Sequence, residues 1–215
     1  GAVDDPLSPH GWEQMRAAVG DHREWEAIVS SPLVRCAAFA RELAEHLDRP
    51  LEIVNGFSEI SFGVWEGRSV AEVHATDPLA IAQFWRDPVA HPIPGGEPVE
   101  VFDQRIRRAW NELMRRYHRR HILLVAHGGT IRMILRPLLE MPVRGGAVVG
   151  RILAHGRDGD AVGQFDAAER DRREETRGHG GSGFFRGALY NVCDAAQLPP
   201  SARVREERRP ASCPD

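Results

Sequence analysis

The sequence contains no lysine, so all 28 of its basic side chains other than histidine are arginines. The 31 acidic side chains outnumber them, and a net charge of -3 excludes a general nucleic-acid binder. Three cysteines (Cys36, Cys193 and Cys213) are too few and too scattered for a disulfide framework or a metal site. No apolar run reaches transmembrane length, and the first residues lack the pattern of a signal peptide, so we expect none. We therefore expect a cytoplasmic protein without nucleic-acid or membrane partners.

Helical and strand-like patterns alternate from residue 9 to about residue 140. This alternation predicts an α/β fold with a parallel sheet covered on both faces. Helices are predicted at 9–19, 34–47, 98–118 and 130–139, and strands at 26–30, 51–54 and 121–126. Between them, residues 68–92 are interrupted by prolines and predict short helices, which we interpret as a lid.

The last third of the chain, from about residue 151, differs in its sequence pattern from the part before it. The segment RILAHGRDGDAVGQF, residues 151–165, predicts two short strands joined by a turn that complete the sheet. Beyond residue 166 the chain is rich in charge and glycine and has little to bury. We therefore predict a domain over residues 1–166 and a largely disordered tail over 167–215. Within that tail, FFRGALYNV (184–192) is the one candidate for docking on the domain.

The segment HILLVAHGGTIR, residues 121–132, carries the clearest functional signal. An apolar strand stops at His127, Gly128 and Gly129 allow a tight turn, and the following residues repeat apolar positions at helical spacing. His127 is therefore expected at the C-terminal end of a strand, facing the N-terminus of a helix. Ligands bind there in open α/β sheets, and the helix N-terminus favours an anion such as phosphate. The alternative is a histidine that only ends a strand and caps a helix.

Further candidate site residues follow predicted strands or lie in the loops next to them. Arg35 follows a predicted strand and opens a helix, where its guanidinium can bind a phosphate bidentately, although it can equally be a surface arginine. Glu59 and Glu66 flank an aromatic and glycine-containing loop, where a carboxylic acid near apolar groups can donate a proton to a leaving oxygen. Solvated loop glutamates are the alternative for both.

Two further features favour structural roles. Glu97 lies near the start of a long predicted helix that carries Arg105, and we expect a dipole partner and an ion-pair former rather than catalysts. At the N-terminus, Ser8 is expected to cap a helix and His10 to be solvated in its first turn.

In order, the segments PLSPHGWEQ, SSPLVRCAAFA, EISFGVWEG, PGGEPVEVFDQRI and LLVAHGGTIRMIL resemble the landmarks of the histidine phosphatase superfamily, also called phosphoglycerate mutase-like. The resemblance spans residues 4 to about 165 and implies a three-layer α/β/α sandwich. It also implies that Arg35 and Gly128 bind phosphate, that Glu59 is the general acid, and that His127 contacts the transferring phosphoryl group. It implies no cofactor and no metal.

One landmark of the family is not found. Its first strand ends in an arginine, the nucleophilic histidine and a glycine, and should stand just before GAVDDPLSP, so we interpret the chain as an N-terminally truncated member. His155 also ends an apolar run, but the predicted hairpin accounts for it better. Because the family places that first strand inside the sheet, we expect an open sheet centre unless residues 149–155 or FFRGALYNV fill the gap.

The leading hypothesis is a phosphomonoesterase that hydrolyses a small phosphorylated metabolite through a phosphohistidine, with the present chain inactive for lack of the nucleophile. One alternative is a non-catalytic protein that binds phosphate or a partner. Another is a phosphoglycerate mutase-like phosphotransferase, which would have to hold a second phosphate group. The substrate and the oligomeric state stay open.

Overall fold

The computed structural model describes residues 1–138, 164–166 and 186–191. In chain order, the larger elements are α1 (Pro9–Val19), β1 (Ala27–Ser30), α2 (Val34–Leu47), β2 (Leu51–Ile53), α3 (Val70–Thr76), α4 (Pro78–Arg86), α5 (Val99–Arg116), β3 (His121–Ala126), α6 (Gly128–Leu138), β4 (Gln164–Asp166) and β5 (Arg186–Asn191). Two short 3₁₀ turns cover Asn55–Phe57 and Gly63–Trp65. None of the helices in the described part is long and apolar enough to cross a membrane.

The predicted elements are confirmed where the structure describes them, with small shifts at their ends. Helix α5 is one residue shorter at its start and two at its end than the predicted 98–118, and α6 begins at Gly128 rather than at residue 130. The predicted N-cap is also confirmed, since the Ser8 hydroxyl accepts a bond from the Gly11 N–H at 3.0 Å. His10 is exposed, as expected.

The strands form one sheet in the order β2-β1-β3-β5-β4. Strands β2, β1, β3 and β5 pair in parallel, while β4 is antiparallel to β5 at the edge. The carboxyl ends of β1 and β3 therefore meet at the same edge of the sheet. The residues that follow these two strands are Ser31 and His127.

The alternation of side chains along β3 divides the core into two layers. Ile122, Leu124 and Ala126 pack on one face among residues of α5 and α6, while Leu123 and Val125 pack on the other among residues of α1 and α2. All five side chains are fully buried. The result is the three-layer α/β/α sandwich that the resemblance implies.

The sheet centre is closed rather than open, because β1 pairs directly with β3 and FFRGALYNV joins the sheet on the other side of β3. Strand β5 lies in the segment FFRGALYNV and pairs with β3 over six residues, so β3 has a hydrogen-bonded neighbour on both sides. Its backbone groups are satisfied by ladder pairing rather than left open. We therefore expect slow amide exchange in residues 121–126. Since β5 lies beyond residue 166, the tail contributes a strand to the sheet, and the division at residue 166 stays a prediction.

The predicted hairpin over residues 151–165 is described only at its end. Strand β4 begins at Gln164 and its partner is β5, with Phe165 opposite Gly187. His155 and the first predicted strand of the hairpin lie outside the described residues.

Candidate active site

A cavity of about 330 Å³ opens at the carboxyl edge of the sheet. Arg35, Glu59, His127 and Gly128 all line it, although they come from three separate parts of the chain. The structure therefore brings these candidate residues together in one cleft. The chemical role of each remains a prediction.

His127 ends β3 and stands at the start of α6, where its carbonyl accepts the Ile131 N–H at 2.9 Å. Its side chain is only 2% exposed. The Ser31 hydroxyl lies 2.6 Å from Nε2, and the Cys36 sulfur lies 3.5 Å from Nε2 and 3.6 Å from Nδ1. Ser31 is therefore the close partner of Nε2, while the Cys36 sulfur lies at nearly equal distances from both ring nitrogens.

Electrostatics keep this imidazole neutral. Burial lowers the pKa of His127 well below its usual value, and the nearby positive charge of Arg35 lowers it further. Burial also raises the pKa of the Cys36 thiol far above its usual value, so the sulfur beside the ring stays protonated. A neutral imidazole can donate one hydrogen bond and accept another, but brings no charge to an anion.

Arg35 is the second residue of α2 and is only 5% exposed, so the alternative of a surface arginine is wrong. Its guanidinium donates to the backbone carbonyls of Gly1 and Val3 at 2.7 and 2.6 Å. The neighbouring Asp4 carboxylate accepts the Val34 N–H at 2.5 Å, at the first turn of α2. The segment 1–4 thereby fixes the guanidinium and uses two of its five N–H donors.

The Glu59 carboxylate accepts the Gly129 N–H at 2.8 Å and the Ile60 N–H at 3.0 Å. It therefore lies directly on the N-terminus of α6. A methyl group at position 129 would overlap Oε1 of Glu59 and approach Cδ to 3.0 Å, so the close approach of the carboxylate requires glycine there. Of the paired glycines, Gly129 thus makes room for the Glu59 carboxylate, in addition to the role of the pair in the turn.

The loop that carries Glu59 is held by α5 and α6. Arg105 forms a bidentate ion pair with Glu97 at 2.7 and 3.0 Å and donates to the carbonyls of Gly56 and Ser58. The Thr130 hydroxyl also donates to the Ser58 carbonyl, at 3.2 Å. The prediction that Arg105 forms a structural ion pair is confirmed, with Glu97 as its partner, whereas the role of Glu97 at the helix dipole stays a prediction. Through the Gly56 and Ser58 carbonyls, Arg105 helps to position the neighbouring Glu59.

Glu66, the other loop glutamate, also reaches the cavity. Its Oε1 accepts the Phe62 N–H at 2.7 Å and the Ala2 N–H at 2.8 Å. It therefore joins the 61–66 loop to the N-terminal segment, which places it beside the cavity without bringing it to the helix N-terminus where Glu59 lies.

The sequence analysis did not predict the aromatic part of the cavity lining. Four aromatic side chains from the 3₁₀ turn region and α4 form it: Phe62, Trp65, Phe84 and Trp85. The first two lie far from the last two in the sequence, so no local pattern predicts that the four form a cluster. Only the expected lid over residues 68–92 indicated that this region covers a site. Among the described residues, no group of three His, Cys, Asp or Glu side chains could hold a metal ion.

Comparison with known proteins agrees with this geometry. The profile of the histidine phosphatase superfamily (branch 1) matches residues 1–149. The chain belongs to this superfamily. By family it is a phosphatase that acts on phosphomonoesters.

Two of the proteins that this histidine phosphatase resembles are glucosyl-3-phosphoglycerate phosphatases. It is 34% identical over 160 residues to the glucosyl-3-phosphoglycerate phosphatase of Mycolicibacterium vanbaalenii, with 70% of each chain covered. A solved mycobacterial glucosyl-3-phosphoglycerate phosphatase matches with a TM-score of 0.59 and 31% identity, over 66% of this chain and 73% of that one. The same mycobacterial protein has been solved with inorganic phosphate.

Another relative is much longer than this chain. The bifunctional protein Rv2228c of Mycobacterium tuberculosis is 33% identical over 137 residues, which cover 62% of this chain and 37% of that protein.

Proposed function

We propose that this histidine phosphatase hydrolyses a small phosphomonoester, with the phosphoryl group bound at Arg35, Gly128 and His127. The observation that carries the proposal is the convergence of a buried arginine, a helix N-terminus and a glutamate on one cavity. The phosphate complex of the mycobacterial relative supports phosphate as the ligand of such a site.

The binding groups suit a dianion. The remaining N–H donors of Arg35 offer charge-assisted hydrogen bonds to the phosphoryl oxygens, and the first turn of α6 adds backbone N–H groups with the positive end of the helix dipole. In a phosphoryl transfer these groups neutralise the charge of the transition state and hold phosphorus in line.

Glu59 is proposed as the general acid. It lies on the same helix N-terminus, and protonation of the leaving oxygen by a positioned carboxyl group accelerates cleavage of the P–O bond. In the first step an imidazole nitrogen attacks phosphorus, an N–P bond forms, and the alcohol leaves with the proton of Glu59. In the second step water attacks the phosphohistidine, Glu59 takes the proton of the water, and inorganic phosphate leaves.

The attacking imidazole is proposed to come from outside the described residues. His127 is the one histidine among the described residues that line the cavity, and its Nε2 lies 2.6 Å from the Ser31 hydroxyl. We assign it the supporting role of contacting the phosphoryl group. This accords with the Arg-His-Gly strand of the family, which residues 1–138 do not contain.

A non-catalytic phosphate-binding protein is the second candidate. The same observation favours it, because a cavity with one supporting histidine can bind phosphate and form no covalent intermediate. For either candidate we propose the cytoplasm, since Cys36 is a free thiol and the three cysteines lack a disulfide spacing.

Two polypeptides distinguish these candidates. One is the 215-residue chain itself, and the other adds to it an N-terminal strand ending in Arg-His-Gly. Each is assayed for hydrolysis of 4-nitrophenyl phosphate and for acid-labile phosphohistidine. We expect negligible turnover from the first and clear turnover with trapped phosphohistidine from the second, reduced by roughly 100-fold or more in Glu59→Gln.

Two outcomes would contradict the proposal. Phosphate binding by the extended chain without any turnover would favour the non-catalytic candidate. Hydrolysis by the 215-residue chain that disappears in His155→Ala would show that another histidine is the nucleophile.

A further inference from the structure

Part of the cavity lining is not used by the chemistry of phosphate. Besides Arg35 and His127, the lining includes four aromatic side chains: Phe62, Trp65, Phe84 and Trp85. Three aliphatic side chains, Val70, Val73 and Ile81, also line the cavity. We call these seven residues the aromatic wall.

The rings of this wall hold one another in place. Phe84 is 2% exposed and forms its centre, with edge-on contacts to Trp65 at 5.5 Å and 86°, to Trp85 at 5.3 Å and 66°, and to Phe62 at 6.4 Å and 74°. Edge-to-face contacts at these distances are attractive and restrict the rings. The wall is therefore a preformed surface rather than a set of mobile side chains.

Core packing buries Phe84, Val73 and Ile81, but four residues of the wall keep part of their surface exposed. Phe62, Trp65 and Trp85 are only half-buried, and Val70 is 59% exposed beside the cavity. Apolar surface that stays wet inside a concave site is a common feature of pockets for apolar ligand groups. The wall thus has the form of a binding surface.

The charges near the wall do not indicate a second phosphate group. Arg68 donates to the Thr76 hydroxyl at 2.7 Å and to the Glu72 carbonyl at 3.1 Å, so its guanidinium binds α3. Arg68 and Arg132 line the cavity together with Asp5 and Glu66, so two positive charges are matched by two negative ones and no excess of positive charge is left for a second anion. An uncharged group fits this part of the cavity better.

The volume limits the size of that group. About 330 Å³ lies at the lower end of the range of small-molecule sites. Such a space holds a phosphoryl group together with one ring or a fused pair of rings, and is small for a dinucleotide or a sugar chain.

We propose that the phosphomonoester taken by this site has an alcohol portion with an aromatic or similarly large apolar ring, which packs on the aromatic wall. This inference rests on the proposed function, because the phosphoryl group fixes which end of the ligand reaches the wall. Recognition is by ring stacking and exclusion of water, whereas Arg35 supplies the charge that every phosphomonoester needs.

The test compares two phosphonates that differ only by a ring. 3-Phenylpropylphosphonate and propylphosphonate cannot be hydrolysed, so their affinities are measured by calorimetry on the full 215-residue chain whether or not it turns over. Inorganic phosphate is titrated as the reference for phosphate binding alone. The variants are Trp65→Leu and Trp85→Leu, and the matched control is Trp12→Leu, which alters a half-buried tryptophan among the residues of α1 and α2.

We expect wild type and Trp12→Leu to bind the phenyl compound at least about tenfold more tightly than propylphosphonate. Trp65→Leu should reduce this preference to within about threefold while leaving the affinity for propylphosphonate unchanged. Trp85→Leu provides the same test if Trp65→Leu does not fold.

Three results would contradict the inference. Equal affinities in wild type would overturn the ring preference alone, provided that inorganic phosphate binds. A preference that survives in both wall variants would overturn its location. Failure of inorganic phosphate and both phosphonates to bind would overturn the proposed function together with the inference.

Discussion

The proposed phosphate-binding residues and the aromatic wall are built in different ways. Arg35 and His127 follow the carboxyl ends of adjacent parallel strands and are buried with hydrogen-bonded neighbours. The aromatic wall lies on two short helices and a 3₁₀ turn, and ring contacts hold it together. Arg35 and His127 thus lie at or just after strand ends and are held by hydrogen bonds, whereas the aromatic wall lies on smaller elements.

This difference indicates a division of labour. Arg35 and His127 are buried and hydrogen-bonded, so the positions proposed to bind a phosphoryl group are held in place. Side chains on short helices can change without disturbing the sheet, and such elements are where specificity can differ between relatives. Phosphate binding should therefore depend on these positions, and discrimination between substrates on the aromatic wall.

The largest effect expected from a substitution of a proposed phosphate-binding residue is that of Arg35→Ala. Loss of a buried charge with two hydrogen bonds to the ligand should weaken the binding of inorganic phosphate by about 100-fold. Calorimetry measures the affinity, and Arg41→Ala on the exposed side of the same helix is the control. A loss of less than threefold, or an equal loss in the control, would remove Arg35 from the site.

The contact between Glu59 and Gly129 is tested by Gly129→Ala. The added methyl overlaps Oε1 of Glu59, so the carboxylate must shift; because it ends a flexible side chain and alanine suits a helix better than glycine, we expect a loss of at most about 1 kcal/mol in the free energy of unfolding. Chemical denaturation measures it in wild type and in Glu59→Ala. In the latter background the loss should vanish, because the clashing carboxylate is gone. A loss that is equal in both backgrounds would show that the glycine is needed for another reason.

His127 should make stability depend on pH. Its pKa in the folded protein lies below its value in the unfolded chain, so the unfolded state binds more protons as the pH falls below about 6.5. The stability it contributes is therefore present above pH 6.5 and is lost towards lower pH, at up to about 1.4 kcal/mol per pH unit. Thermal unfolding of wild type and His127→Asn between about pH 4.5 and 7.5 measures the difference.

The variant should show a flatter profile than wild type over this range. His10→Asn is the control, because that histidine is exposed. Identical profiles for wild type and His127→Asn would mean that the ring is accessible to protons in the folded protein.

The smallest effect is expected at the rim of the aromatic wall. Val70 is 59% exposed, so Val70→Ala should change the free energy of unfolding by less than about 0.5 kcal/mol. It should also weaken the binding of 3-phenylpropylphosphonate by no more than about threefold, well below the effect of Trp65→Leu. A larger loss would move the ring-binding surface from the interior of the wall to its rim.

The difference between the proposed phosphate-binding residues and the aromatic wall also explains which parts of the site could be predicted from the sequence. Arg35 and His127 each follow an apolar run that ends abruptly, and parallel strands bring such positions to one edge, so their convergence follows from local patterns. Trp65 and Phe84 lie 19 positions apart in different elements, and no periodicity links them. The aromatic wall depends on how α3 and α4 pack on the loop before them, which local patterns do not determine.

Strand β5 is a second feature that local sequence patterns could predict only in part. The apolar content of FFRGALYNV predicts a docking segment, but pairing in parallel with β3 depends on which edge of β3 is available. Likewise, the need for glycine at position 129 follows from the Glu59 carboxylate 70 positions earlier in the chain. Contacts between distant segments are the part of the site that sequence patterns could not supply.

A crystal structure of the 215-residue chain with bound vanadate tests the central claim most directly. The account predicts the oxyanion in the cavity, within hydrogen-bond distance of the Arg35 guanidinium and of the Gly128 N–H, with the Glu59 carboxyl on the same side of the site. An oxyanion bound at another place, or an empty cavity at saturating vanadate, would contradict it.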